Sequence, residues 1–243
     1  MPGCGVAGAF HGDESGLCRG HRRGGHPGAH WHGSVWGAFG VSRKKILPRS
    51  FYEREDPVEV ALDLLGKIVR VGSGKGECAA RIVEAEAYGG RRDRASHAWR
   101  GRTPRNESMF GPPGTAYVYL CYGIHRMFNV VTAPMGVPAA VLIRGVEPLQ
   151  GVEGMVRRRK LQAGDFRLTG GPGALTAALG IRMAWDRSDL VCGPIRIEDD
   201  GMRIASSRIE KRPRVGVNYA GPAARFPWRF SLRDNPWVSR SRS

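Results

Sequence analysis

Glu84, Glu86 and Tyr88 are spaced two residues apart in the run Arg81-Ile-Val-Glu-Ala-Glu-Ala-Tyr88, and His97 follows shortly after. Two carboxylates beside a phenol ring, with an imidazole close behind, can do chemistry. One carboxylate can act as a general base, and the rings can hold a flat ligand. The same residues also suit the solvated face of an antiparallel strand. The stretch by itself leaves both readings open.

The element that must position these groups is a strand. Ile82, Val83, Ala85 and Ala87 are apolar, and Gly89-Gly90 ends the run. Side chains alternate along a strand, so Glu84, Glu86 and Tyr88 share a face. Parity does not choose between the two glutamates. Ile68 to Val71 reads as the preceding strand, joined through the turn Gly72 to Gly76 into a hairpin with Cys78 to Tyr88. That glycine turn lacks the spacing of a phosphate loop and is not followed by a helix. Upstream, Asp56-Pro57 opens a helix with the apolar face Val58, Ala61, Leu62 and Leu65, and Gly66 closes it.

Downstream, Gly89 to Gly114 is a long irregular connection. It carries Arg91, Arg92, Arg94, Arg100, Arg102 and Arg105 among His97, Trp99, Asn106 and Phe110. Loops this long in a compact domain are usually functional, and arginine interleaved with aromatics suits a nucleic-acid backbone and exposed bases. Thr115 to Tyr122 reads as a tyrosine-rich strand, with a turn at Gly123 to His125 and a return strand from Met127 to Thr132. Ala139 to Val146 is another strand. It carries Arg144 among aliphatics, which calls for an acidic partner such as Glu86, an anionic ligand, or an edge position from which the side chain reaches water. Pro148 to about Arg159 reads as a helix ending in a basic cluster. Gly170 to Gly180 reads as a glycine-rich turn opening another helix. Short strands are expected around Ile195–Ile197, Met202–Ala205 and Phe226–Leu232. Strands and helices do not alternate strictly, which excludes a doubly wound parallel sheet. The expectation is an α+β single domain, a curved and mostly antiparallel β-sheet with peripheral helices.

The chain has 243 residues, and 38 Lys+Arg against 22 Asp+Glu give a net charge of +16. Charge of that size speaks to partners, and arginine suits forked contacts to phosphate. An arginine-rich composition also follows from a GC-rich genome. The 5 cysteines are odd in number and form no C-x-x-C pair, so a reducing, intracellular setting (cytoplasm or nucleoid) is expected, with no disulfide frame. No apolar run is long enough to span a membrane, and the start lacks the pattern of a signal peptide. Residues 1–45 are rich in glycine, histidine and arginine and read as a disordered tail; residues 46–243 form the folded domain. The histidines and cysteines of the tail match no metal-binding spacing.

Glu86-Ala-Tyr88, Ser96-His97, Thr103-Pro-Arg-Asn106, Met109-Phe110, Pro113-Gly-Thr115, Tyr117-Val-Tyr119, Tyr122-Gly123, Asn129 and Leu142-Ile-Arg144 occur in that order. With Gly171-Pro172, Leu175, Arg214-Val-Gly-Val217 and Pro236-Trp-Val-Ser239, they resemble the alkyladenine, or 3-methyladenine, DNA glycosylase family of the mammalian type. The likeness covers about Arg49 to Ser239 and omits the tail.

The resemblance implies a monofunctional glycosylase. It would flip alkylated or deaminated purines out of duplex DNA and hydrolyse the N-glycosidic bond, leaving an abasic site. It assigns Glu86 as general base and Arg144 as the residue that helps hold the attacking water and the carboxylate. Tyr88 and His97 on one side and Tyr119 on the other would wall the base, and Asn129 would exclude normal guanine. Tyr122 would fill the gap left in the stack. Arg102, Arg105 and Arg214 are expected on the DNA backbone. No cofactor and no metal are expected. The expected partner is double-stranded DNA with damaged purines, met by a monomer with no membrane attachment. The rival reading is a non-catalytic basic binder that keeps a base-sensing cleft. The chain departs from the family in its tail and in the polar turn Ile124-His125-Arg126.

Overall fold

The computed structural model describes residues 45–240. The expectations for the N-terminal tail therefore lie outside the described residues, apart from Lys45 itself. Among the described residues no helix is long and apolar enough to cross a membrane.

The chain opens with β1 (Lys45–Ile46), α1 (Arg49–Tyr52) and α2 (Pro57–Leu64). The Asp56 carboxylate accepts from the Val58 amide at 2.8 Å, capping α2 where Pro57 presets the first turn. Then come β2 (Ile68–Val71), β3 (Cys78–Tyr88), β4 (Ala116–Cys121), β5 (His125–Val131) and β6 (Ala140–Gln150). Helices α3 (Val152–Arg159) and α4 (Pro172–Leu179) precede β7 (Ile195–Asp199), β8 (Ile209–Arg212) and β9 (Arg229–Leu232). The strands form one sheet in the order β1-β7-β2-β3-β6-β5-β4, with β9 pairing both β3 and β8. Every pairing between these strands is antiparallel, as the α+β reading requires.

β3 is the axis of the sheet. Along one edge it pairs β6 over most of its length. Along the other it pairs β2 through Cys78 to Arg81 and β9 through Glu84 to Glu86. Burial on both faces leaves every residue of β3 except Tyr88 buried, and the apolar ones fix the register. A one-residue slip would swap all of its side chains between faces. Ile82, Val83, Ile143 and Phe230 are essentially inaccessible. Each large side chain buried this way contributes about 1.5–3 kcal/mol relative to exposure.

The β3–β6 ladder is irregular where the carboxylates lie. Ile82 faces Val146, Glu84 faces Gly145 and Ala85 faces Ile143, with register shifts between. Val83 and Arg144 are therefore both left without a facing residue. Bulges of this kind re-aim side chains and recur beside active sites. Gly145 is needed next to them, because a Cβ there would lie 2.7 Å from the Trp237 carbonyl oxygen. That close approach brings the C-terminal segment onto the carboxylates.

Two local expectations are corrected, and one further strand is added. The helix expected from Pro148 begins at Val152, because β6 continues to Gln150 and Gly151 turns the chain at φ 73°. Met202–Ala205 forms no strand. β8 was not anticipated: Ile209-Glu-Lys-Arg212 has one apolar residue and lies beyond β9 at an edge, where pattern signals are weak.

Candidate active site

Arg144 is buried at 6% exposure between both glutamates. Its Nε lies 3.1 Å from Glu84 Oε1 and 3.4 Å from Glu86 Oε1, and its Nη1 donates to Glu86 Oε2 at 3.4 Å. Arg229, on β9, adds a contact of 3.5 Å to Glu84. Two carboxylates and two guanidiniums thus form one compact, charge-balanced cluster. Burial opposes the charge on Arg144, but Glu86 and Glu84 outweigh it and hold the pKa above its usual value. The alternative of an edge arginine reaching water is excluded by this burial.

The two glutamates differ in their partners. Glu84 receives the Ser239 amide at 2.7 Å and the Ser239 hydroxyl at 2.9 Å. With Arg144 and Arg229 it is held on all sides by the C-terminal segment and β9. Glu86 receives the Val215 amide at 2.8 Å and the Tyr88 hydroxyl at 2.8 Å. Only the latter glutamate is hydrogen-bonded to a residue that walls the aromatic-lined cavity. The choice that strand parity leaves open is thereby narrowed by geometry.

That cavity has a volume of about 560 Å³ and is lined by Tyr88, His97, Tyr117, Tyr119 and Asn129, with Tyr122 at its rim. Its size suits a small ligand. Glu86 and Arg144 are not among its lining residues, and Glu86 has no exposed surface. The Tyr88 hydroxyl bridges the two. Tyr88 titrates well above its usual value, first because it is buried and then because Glu86 repels the phenolate. It therefore stays a donor.

β4 brings Tyr117 and Tyr119 to the site, and the irregular 89–114 connection brings His97. His97 and Tyr119 meet edge to face, with ring centroids 4.6 Å apart. A stacked base needs about twice a 3.5 Å contact distance between its walls, so these rings cannot lie on opposite sides of one. The structure thus has His97 and Tyr119 in contact with each other, and Tyr88 lines the same cavity. His97 Nδ1 also hydrogen-bonds the Tyr117 hydroxyl at 2.9 Å. The His97 pKa is lowered from 6.5, chiefly because these neighbouring rings partly desolvate an imidazole that still reaches solvent, and then by the Arg105 charge. Tyr117 belongs to a buried cluster with Met109 and Phe110. Asn129 is 4% exposed and donates to the Tyr117 carbonyl at 3.1 Å.

The connection carrying His97 is irregular but tied. Asn106 donates to the carbonyls of His97 and Gly101, both at 2.9 Å, and accepts from the Thr103 amide at 2.7 Å. Its six arginines are all exposed. Tyr122 sits in the turn between β4 and β5 at φ 50°, 90% exposed, beside Gly123 at φ 71°. Arg102 and Arg105 are exposed.

Arg214 is not. Its side chain has no exposed surface, donates to Asp93 Oδ1 at 2.8 Å and to the Ala87 carbonyl at 2.8 Å, and stacks over Tyr88 at 4.8 Å. It cannot reach a phosphate. The expectation of a backbone contact is corrected: Arg214 anchors the loop whose Val215 amide holds Glu86. Sequence reading missed Asp93, Val215, Arg229 and Ser239 as partners. The segments holding Val215 and Ser239 were singled out by resemblance, while Asp93 and Arg229 gave no signal.

Comparison with known proteins bears on this arrangement. The family model described as methylpurine-DNA glycosylase matches residues 50–236. A protein of Methanocella arvoryzae named "Putative 3-methyladenine DNA glycosylase" is 45% identical over 196 residues, covering 80% of this chain and 96% of that one. A protein of the same name from Anaeromyxobacter dehalogenans is 48% identical over 195 residues, covering 80% and 85%. One from Burkholderia lata is 42% identical over 219 residues, covering 89% and 97%.

Proposed function

The chain belongs to the methylpurine-DNA glycosylase family and is a DNA glycosylase, and from that premise we propose which lesions it removes and which side chains remove them. Its substrate is an alkylated or deaminated purine such as 3-methyladenine in duplex DNA, acted on by a monomer inside the cell. The observation that carries the reading is the Tyr88 hydroxyl, which joins the aromatic cavity to the Glu86–Arg144 pair.

A base within a duplex must be extruded before its glycosidic bond can be reached. Tyr122 fills the gap from the exposed turn. The flipped purine lies against the His97–Tyr119 surface with Tyr88 opposite. A methylated purine carries positive charge, which aromatic faces attract. Asn129 borders the cavity and sets its discrimination against the amino group of normal guanine.

Among the described residues no lysine lines this cavity, which supports water as the nucleophile in place of a Schiff-base amine. Glu86 takes a proton from the water as its oxygen bonds to C1′. The C–N bond breaks, and its electron pair stays with the purine. A cationic 3-methyladenine leaves neutral, whereas a neutral lesion such as hypoxanthine must also gain a proton. The Glu86 oxygens are fully engaged, so the water replaces one contact. The 3.4 Å contacts to Arg144 are the longest and exchange most easily. Arg102 and Arg105 meet the phosphates.

Release of free base from duplexes carrying 3-methyladenine, 7-methylguanine or hypoxanthine, with cleavable abasic sites left behind, tests the reading. Binding of these duplexes with no base released from any of them supports the rival base-sensing module.

A further inference from the structure

The mouth of the cavity holds a second exposed tyrosine with no role so far. Tyr219 is 68% exposed and lines the same cavity as Tyr122. Its hydroxyl donates to the Ala95 carbonyl at 3.3 Å. Its backbone belongs to the 3-10 stretch Asn218–Arg225, tied back by the Ala220 amide to the Val217 carbonyl at 2.9 Å. The ring is therefore held in place while still facing water. Tyr122 and Tyr219 both line the cavity and both are exposed, which sets the two phenols on one rim.

A nucleotide whose base occupies the cavity leaves its deoxyribose at the mouth and its phosphates outside. The sugar then meets the rim where the two exposed rings stand. The stretch from Arg214 to Tyr219 connects this rim to the chemistry. Arg214 is its buried anchor, the Val215 amide holds Glu86, Gly216 and Val217 line the cavity, and Tyr219 stands at the mouth.

The geometry points to Tyr219 as a positioning residue that packs on the deoxyribose of the extruded nucleotide and slows its return to the helix. This role rests on the base-release reading above.

The test uses a lesion duplex that the wild-type protein cleaves, with 2-aminopurine next to the lesion as a fluorescent reporter of lost stacking. In a Glu86→Gln background the base stays attached, and return is timed as signal decay after chasing with excess unlabelled duplex. Adding Tyr219→Ala accelerates decay by about tenfold, the scale of one lost aromatic contact. Adding Tyr219→Phe keeps the ring and leaves decay near that of the parent. Thermal melting stays the same in both, as expected for an exposed side chain. Decay in Tyr219→Ala equal to the parent overturns the proposal. Equal acceleration in Tyr219→Phe also overturns it, because the bond to Ala95 rather than the ring would then matter. Failure of the base-release reading shows separately, as free base appearing in the Glu86→Gln parent.

Discussion

The Tyr88 hydroxyl donates to Glu86 Oε2 at 2.8 Å, so one side chain both walls the cavity and touches the carboxylate behind it. Tyr88 is also the last residue of β3, two positions after Glu86. A strand places residues of that spacing on one face. The phenol ring reaches forward to the ligand while its oxygen stays on the acid.

Tyr88→Phe separates these two duties. The ring remains, and Glu86 keeps the Val215 amide and Arg144. Loss of one hydrogen bond to a charged group costs about 1.5–3 kcal/mol, or roughly ten- to a hundredfold. Single-turnover base release should slow by that factor while lesion affinity stays near wild type. A matching loss of affinity would show instead that the hydroxyl shapes the cavity.

Tyr122→Ala should weaken binding to lesion duplex by about tenfold, in line with the loss of one stacking contact. Because Tyr122 is 90% exposed, the melting temperature should not move. Fluorescence anisotropy on lesion and undamaged duplexes checks both the size and the selectivity of the effect.

Arg214 and Arg105 should behave in opposite ways. Arg214→Ala leaves Asp93 buried without its partner, and breaking such a pair costs about 3–5 kcal/mol. Denaturant unfolding reads that loss. Arg105→Ala should leave stability nearly unchanged. It should also reduce the slope of log affinity against log salt by about one, as the loss of one phosphate contact does.

His97 gives a pH dependence. Its folded pKa lies below 6.5, so between that value and 6.5 the unfolded chain binds more protons than the native one. Stability therefore rises with pH across this window and is fully present above 6.5. The ring remains open to the cavity, so the effect is small. Affinity for a cationic lesion should fall more clearly as pH drops through the window, because imidazolium and methylated purine repel. His97→Gln should flatten that profile, as titration of binding between pH 5 and 8 would show.

Much of the fold was legible because β3 declares itself. Its aliphatics, its glycine stop and its glutamates at even spacing specify a strand, a boundary and a loaded face. The buried partner for Arg144 followed from the cost of an unpaired charge. Arg214 was misplaced because a lone arginine in a basic loop looks like any other, and its partner Asp93 lies 121 positions away. The Val215 amide carries no side-chain signal at all. The pairing of His97 with Tyr119 depends on how a long irregular connection folds back over β4, which local pattern does not encode. The double bulge that leaves Arg144 between two carboxylates is likewise a property of the assembled ladder.

The most direct measurement is single-turnover release of 3-methyladenine from duplex DNA by Glu86→Gln, with binding of the same duplex measured alongside. Removing a general base should slow release by about 10²–10⁴-fold while binding persists. Release at the wild-type rate by a protein that binds normally would contradict the assignment of Glu86 and, with it, the catalytic role of the Tyr88–Glu86–Arg144 chain.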